Sequence, residues 1–185
     1  GRRRSGRFLV EGPNLVAAAA QRGLVDEVFA TDEAAERHSA LIAGLPVQPV
    51  TDRAAKALSE TVTPSGLVAV CRLPATDLDE VLAGRPALVV VAVDLSEPGN
   101  AGTLIRLADG MGAAAVVFAG HSVDPYNGKC LRSSAGSIFA VPTYLFVVMA
   151  LAIVGIGVLR IVTGQVVELA PHPEGGWIRE TWRHP

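Results

Sequence analysis

The chain has 185 residues, enough for one domain of usual size or two small ones, and half of it is hydrophobic, so a core is within reach. A net charge of -2 excludes a global pull toward nucleic acid, so any RNA surface must be a local patch. Cys71 and Cys130 lie far apart without C-x-x-C spacing, which points to reduced thiols in a cytosolic protein; there is no zinc motif, and the four scattered histidines predict no metal site.

Arg2, Arg3, Arg4 and Arg7 open the chain as a basic arm. It is either a solvated terminus or a phosphate contact, because clustered arginines hold an RNA backbone without reading sequence. The short apolar run Phe8-Leu9-Val10 predicts a strand rather than a signal peptide. Glu11, read as structural at that strand's end, leads through Gly12-Pro13-Asn14 into an alanine-rich helix over residues 15–20, closed by Gly23. A second strand is expected over residues 25–30. Thr31 or Asp32 then caps a helix to about Leu41, ended by Gly44 and Pro46. Residues 47–50 read as extended, Thr51 caps a helix through Leu58, and residues 67–71 read as another strand. Residues 1–72 thus form a small α/β module. Residues 73–85, with proline, acidic residues and a short helix near Val81, read as a linker.

The second module begins at Pro86. Residues 86–93 are continuously apolar and β-branched, which predicts a strand buried on both faces of a parallel sheet. A loop over residues 95–99 precedes a helix expected to open at Asn100 as its cap, with Leu104, Ile105, Leu107, Ala108 and Met111 packed on the sheet and Arg106 on another side. Residues 113–119 form the next strand and residues 120–126 a loop at its carboxyl end. Asn127-Gly128 is a turn into a short helix carrying Lys129, Arg132 and Ser133 or Ser134, and residues 138–142 make a third strand. This β-α-β-α-β order predicts a parallel sheet with right-handed crossovers. Ligands of such sheets sit beyond the strands' carboxyl ends, where Asn100 and Arg106 fall.

Asn100, Gly102 and Arg106 after an apolar strand resemble the first signature of the SpoU (TrmH-like) family of RNA ribose 2′-O-methyltransferases, of the SPOUT superfamily. Residues 124–142, with Lys129-x-x-Arg132-x-Ser134-x-Gly136, resemble its second. The resemblance implies a catalytic pair, Asn100 and Arg106, with Arg106 beside the target ribose. It implies RNA contacts from Lys129, Arg132, Ser134 and the arm Arg2, Arg3, Arg4 and Arg7, and close approach to S-adenosylmethionine by Gly120 and Gly136. Residues 1–72 are similar to the L30e-like RNA substrate-binding domain of such enzymes, and residues 86–142 to the first part of their methyltransferase domain. Ribosomal RNA is the expected target, and family members form homodimers. Without the resemblance, Asn100 reads as a helix cap and Arg106 as the ion-pair partner of Asp109.

Beyond Pro142 the resemblance stops. No third signature is legible, so the knot and the S-adenosylmethionine pocket are expected to be incomplete, as in a truncated or rearranged gene product. Residues 143–164 are apolar, and 144–159 come close to the length of a bilayer span, which makes membrane association one expectation beside a cytoplasmic location. Residues 165–185 contain Pro171-His172-Pro173-Glu174-Gly175-Gly176-Trp177, which is similar to the opening of a small cupin-like family. Three readings stay open: an RNA 2′-O-methyltransferase, a non-catalytic RNA-binding module and a membrane-tethered remnant.

Overall fold

A computed structural model describes residues 5–146, 171–172 and 176–177. Contacts divide the chain into two units, Gly1–Ala75 and Thr76–Pro185.

The first unit runs β1 (Arg7–Glu11), α1 (Pro13–Gln21), β2 (Val25–Ala30), α2 (Asp32–Arg37), α3 (Ser39–Ile42), β3 (Val47–Pro49), α4 (Asp52–Leu58) and β4 (Leu67–Arg72). The sheet order is β1-β4-β2-β3, antiparallel except for the β2–β3 pair. Alternation along β1 buries Phe8 and Val10 and exposes Arg7 and Leu9, whereas central β4 buries Leu67, Val68, Ala69 and Cys71. Thr31 and Thr51 cap α2 and α4 through their hydroxyls, as their place before acidic first turns predicts. The helix expected from residue 32 to Leu41 is two pieces, because His38 at φ -114° and ψ 24° leaves the helical range.

The second unit runs α5 (Leu78–Ala83), β5 (Val89–Val93), α6 (Pro98–Gly110), β6 (Ala115–Ala119), α7 (Gly128–Ser134), a 3-10 turn (Ser137–Phe139) and β7 (Thr143–Phe146). Its sheet is parallel in the order β5-β6-β7. Strands added in one direction put both right-handed crossovers on one face. That face is closed: Val116 and Phe118 are fully buried. On the other, Val91 and Val93 are 43% and 42% exposed, so β5 is not buried on both faces as its composition predicts. Ala101, Leu104, Ile105 and Ala108 bury one side of α6, while Leu107 and Met111, expected against the sheet, are exposed.

The third strand also lies elsewhere than predicted. Ala135 and Gly136 have positive φ, the chain turns, and Ile138 and Phe139 are buried from a 3-10 turn. A short buried apolar run carries no period that distinguishes such a turn from a strand. The ladder to β6 begins at Thr143 instead. Tyr144, Leu145 and Phe146, the first residues of the apolar segment, are therefore sheet. Among the described residues no helix is long and apolar enough to cross a membrane. The rest of 143–164, and most of the cupin-like stretch 165–185, lie outside the described residues, as do the places where the knot and third signature are expected. Within that stretch Pro171–His172 (β8) and Gly176–Trp177 (β9) pair antiparallel.

Candidate active site at the carboxyl edge of the parallel sheet

The loops leaving β5 and β6 are joined. Asp94, at φ 55°, donates its N–H to Ala119 O (3.1 Å) and accepts the His121 N–H at Oδ1 (2.8 Å). The Leu95 N–H donates to Ser122 Oγ, whose hydroxyl donates to Ala119 O, and the Val123 N–H donates to Leu95 O. Gly120, at φ 66°, completes this join: a Cβ there would stand 2.3 Å from Asp94 Oδ1. The missing side chain of Gly120 thus makes room for a carboxylate of the chain itself. Gly136 has φ 96° and opens the 3-10 turn.

Glu97, not Asn100, caps α6. Pro98 supplies a preset first helical residue, and Glu97 Oε2 accepts the Gly99 N–H at 3.0 Å. Its other oxygen pairs with Lys129 Nζ, and this partner first, then the Gly99 N–H, holds the carboxyl below its usual range. Lys129, expected to face RNA, therefore leans on Glu97. Asn127 caps α7 through the Lys129 N–H. Helices α6 and α7 meet at Gly102, where a Cβ would stand 2.1 Å from Ser133 Oγ, 2.5 Å from Cys130 O and 2.7 Å from Ser134 N. Ser133 Oγ also lies 3.3 Å from Pro98 O. Ser134, expected to contact RNA, is fully buried and donates its hydroxyl to Leu131 O, because this face of α7 is the one that packs.

With capping assigned to Glu97, Asn100 is the third residue of α6; it is half-buried, and among the described residues its amide has no hydrogen-bond partner. Arg106 is exposed and, among the described residues, forms no ion pair with Asp109 or any other carboxylate. The two are six residues apart, about 9 Å along the axis and about 120° around it, with Thr103 midway on the same i, i+3 ridge. Arg132 is exposed on α7. Arg7 belongs to the first unit, and Arg2, Arg3 and Arg4 lie outside the described residues.

Sequence reasoning missed Glu97 and Asp94, and it named Ser133 only as the alternative to Ser134. Glu97 carried a signal, since a polar residue directly before Pro-Gly fits a cap with proline at the first helical position. Ser133 and Asp94 act through pairings between separate loops and helices and carried none. Cys130 and Tyr126 are each pushed up to about 12, chiefly by burial, so neither is a base at neutral pH. Among the described residues no cluster of three or more His, Cys, Asp or Glu could hold a metal ion.

Residues 87–154 match the SpoU rRNA Methylase family, and residues 1–69 match the MRM3-like substrate binding domain. The chain belongs to the SpoU methylase family. Among curated relatives, it is 38% identical over 142 residues to the 23S rRNA (guanosine(2553)-2′-O)-methyltransferase RlmP of Bacillus subtilis, covering 76% of this chain and 55% of that protein. It is 43% identical over 79 residues to the 23S rRNA (uridine(2479)-2′-O)-methyltransferase of Streptomyces viridochromogenes, covering 43% and 28%. Among solved SpoU structures, AviRb from Streptomyces viridochromogenes in complex with AdoMet superposes with a TM-score of 0.66 at 32% identity, covering 78% of this chain and 56% of that one. An RNA 2′-O ribose methyltransferase superposes with a TM-score of 0.66 at 33% identity, covering 81% and 59%. The chain thus spans a little over half the length of RlmP and of these two structures.

Proposed function

We propose that this SpoU chain carries the acceptor-positioning part of a ribosomal RNA ribose 2′-O-methyltransferase that uses S-adenosylmethionine. The observation that carries the reading is on α6, the helix that follows β5: Asn100 is not its cap, and Arg106 has no carboxylate partner among the described residues. When bound, S-adenosylmethionine supplies an electrophilic methyl group. At Gly120 the room left by the missing side chain is taken by Asp94 Oδ1, and no step is assigned through the cofactor. Gly136 is the remaining glycine assigned to approach it.

On the acceptor side, the chemistry needs a fixed hydroxyl and a means of tolerating the charge that grows on its oxygen. Asn100 can donate and accept hydrogen bonds, which suits it to orienting a 2′-OH. Arg106 keeps its proton, so its part is to clamp the adjacent phosphate and stabilise the developing alkoxide rather than to remove the proton. Arg132, Lys129 and the arm Arg2, Arg3, Arg4 and Arg7 hold the RNA backbone, with Lys129 reaching a phosphate only by leaving Glu97. Pairing of two copies and a cytoplasmic location belong to the same reading.

The test is methyl transfer from labelled S-adenosylmethionine to 23S ribosomal RNA, scored as alkali-resistant dinucleotides. Arg106→Ala is expected to lower the rate by about 10²–10³, the usual cost of losing one charge-stabilising donor. Arg106→Lys is expected to recover only part of it, because lysine lacks the planar fork. RNA binding with no transfer by the unaltered chain would favour the non-catalytic module.

A further inference from the structure

In the first unit, Arg7 and Arg72 are register partners on β1 and β4, at the end of the sheet where β1 begins. Between them lies Asp26. The β2–β4 register shifts between Val25 and Glu27, so Asp26 is the extra residue of a β-bulge. Bulges re-aim side chains, and here the Asp26 carboxylate takes the Arg7 Nε at 2.8 Å with one oxygen and the Arg72 Nε at 3.0 Å with the other. One Arg72 terminal nitrogen also donates to Gly23 O at 2.6 Å. Asp26 is 21% exposed, while Arg7 and Arg72 are 60% and 58% exposed. Two guanidinium groups are thus held beside one largely covered carboxylate, leaving a surplus of one positive charge facing water. Exposed Arg22 sits in the adjoining α1–β2 turn, and Arg2, Arg3 and Arg4 precede Arg7 in sequence. At the opposite end of the sheet, Asp32, Glu33 and Asp52 open α2 and α4.

We propose that the Arg7–Asp26–Arg72 group is a preset contact for an RNA sugar-phosphate backbone, with Arg72 as a binding residue. Fixing the Nε groups removes side-chain freedom before binding, and the Arg7 terminal nitrogens stay available for the paired N–H···O geometry that phosphate accepts. The contact holds RNA without reading its sequence. It deepens the reading above, resting on it for the choice of polyanion.

The experiment is anisotropy titration of the full chain with a short labelled oligouridylate across a salt series. Arg72→Gln and Arg7→Gln are each expected to flatten the log-log salt slope by about 0.7, the share of one single-strand phosphate contact. Arg72→Lys is expected to keep the slope, since it keeps the charge. Arg53→Gln makes the same charge change in the first turn of α4, at the other end of the sheet, and is expected to leave the slope as it is. Thermal melts show which variants stay folded; Arg7, whose side chain among the described residues is hydrogen-bonded to Asp26 alone, serves if Arg72→Gln does not. Equal flattening by Arg53→Gln and Arg72→Gln, or no oligouridylate binding at all, would overturn the proposal. Arg72-dependent oligouridylate binding without methylation of ribosomal RNA would remove the methyltransferase reading and leave this surface standing.

Discussion

The two units use opposite devices where their loops and helices close. In the first, a side chain is added: Glu11, at the end of β1, accepts from Ser59 Oγ at 2.7 Å, Thr61 Oγ1 at 2.9 Å and the Ser65 N–H at 3.4 Å, and so gathers the α4–β4 loop. In the second, a side chain is removed: Gly102 lets the backbone of α7 sit against α6. A hydrogen-bonded carboxylate tolerates small shifts of its partners, whereas a contact between two backbones does not. The helix bearing Asn100 and Arg106 is therefore fixed by the less forgiving device, which is what the proposed site would require.

Gly102→Ala is the hardest test of that contrast. The added methyl would meet Cys130 O and Ser134 N, both backbone atoms, so α6 and α7 must separate. Overpacking of this kind costs about 1–3 kcal/mol or more. Gly110, in the same helix, has nothing within 4 Å of an added Cβ, and Gly110→Ala is expected to be neutral or to stabilise by up to about 1 kcal/mol through helix propensity. Urea unfolding of both variants reads the difference. Equal stabilities would mean that the close approach at Gly102 does not constrain the helices.

The first unit should yield to Glu11→Ala. Two hydroxyls and one backbone N–H would lose their acceptor in a partly buried loop, which costs about 1–3 kcal/mol. Water can reach part of this loop, so the lower half of that range is expected. Hydrogen exchange should speed up first over residues 59–66. Unchanged exchange there would mean that the loop is held by its own backbone.

Most of the fold was legible in the sequence where one residue decides one local event. Thr31 and Thr51 cap as their position predicts, the apolar runs of β5 and β6 are strands, and the β-α-β order gives the parallel sheet. Legibility ended where an event depends on two distant segments. The 3-10 turn at Ser137–Phe139 was read as a strand because its apolar residues are buried in either form. At the site, Asn100 and Arg106 were legible as a motif, but the cap at Glu97 and the burial of Ser134 depend on how α7 meets α6. Ser134 and Lys129 read as outward residues, and one packs inward while the other is tied to Glu97.

The finest test uses the thiols, one in each unit. Cys71 and Cys130 are both fully buried, and burial, with smaller help from nearby carboxylates, raises each from 9.0 to about 12. A folded-state value above the unfolded one favours the protonated form, so this contribution is complete below the ordinary thiol range and fades as pH rises toward about 12. Iodoacetamide should therefore label neither cysteine in the native chain at about pH 8, near the ordinary thiol value, and label both in urea. Cys130→Ala should weaken the alkaline fall in stability of the second unit while leaving that of the first, and Cys71→Ala should do the reverse. If either substitution altered both units alike, the two cores would not be acting separately, and the contrast between the units would have to be drawn at the whole chain instead.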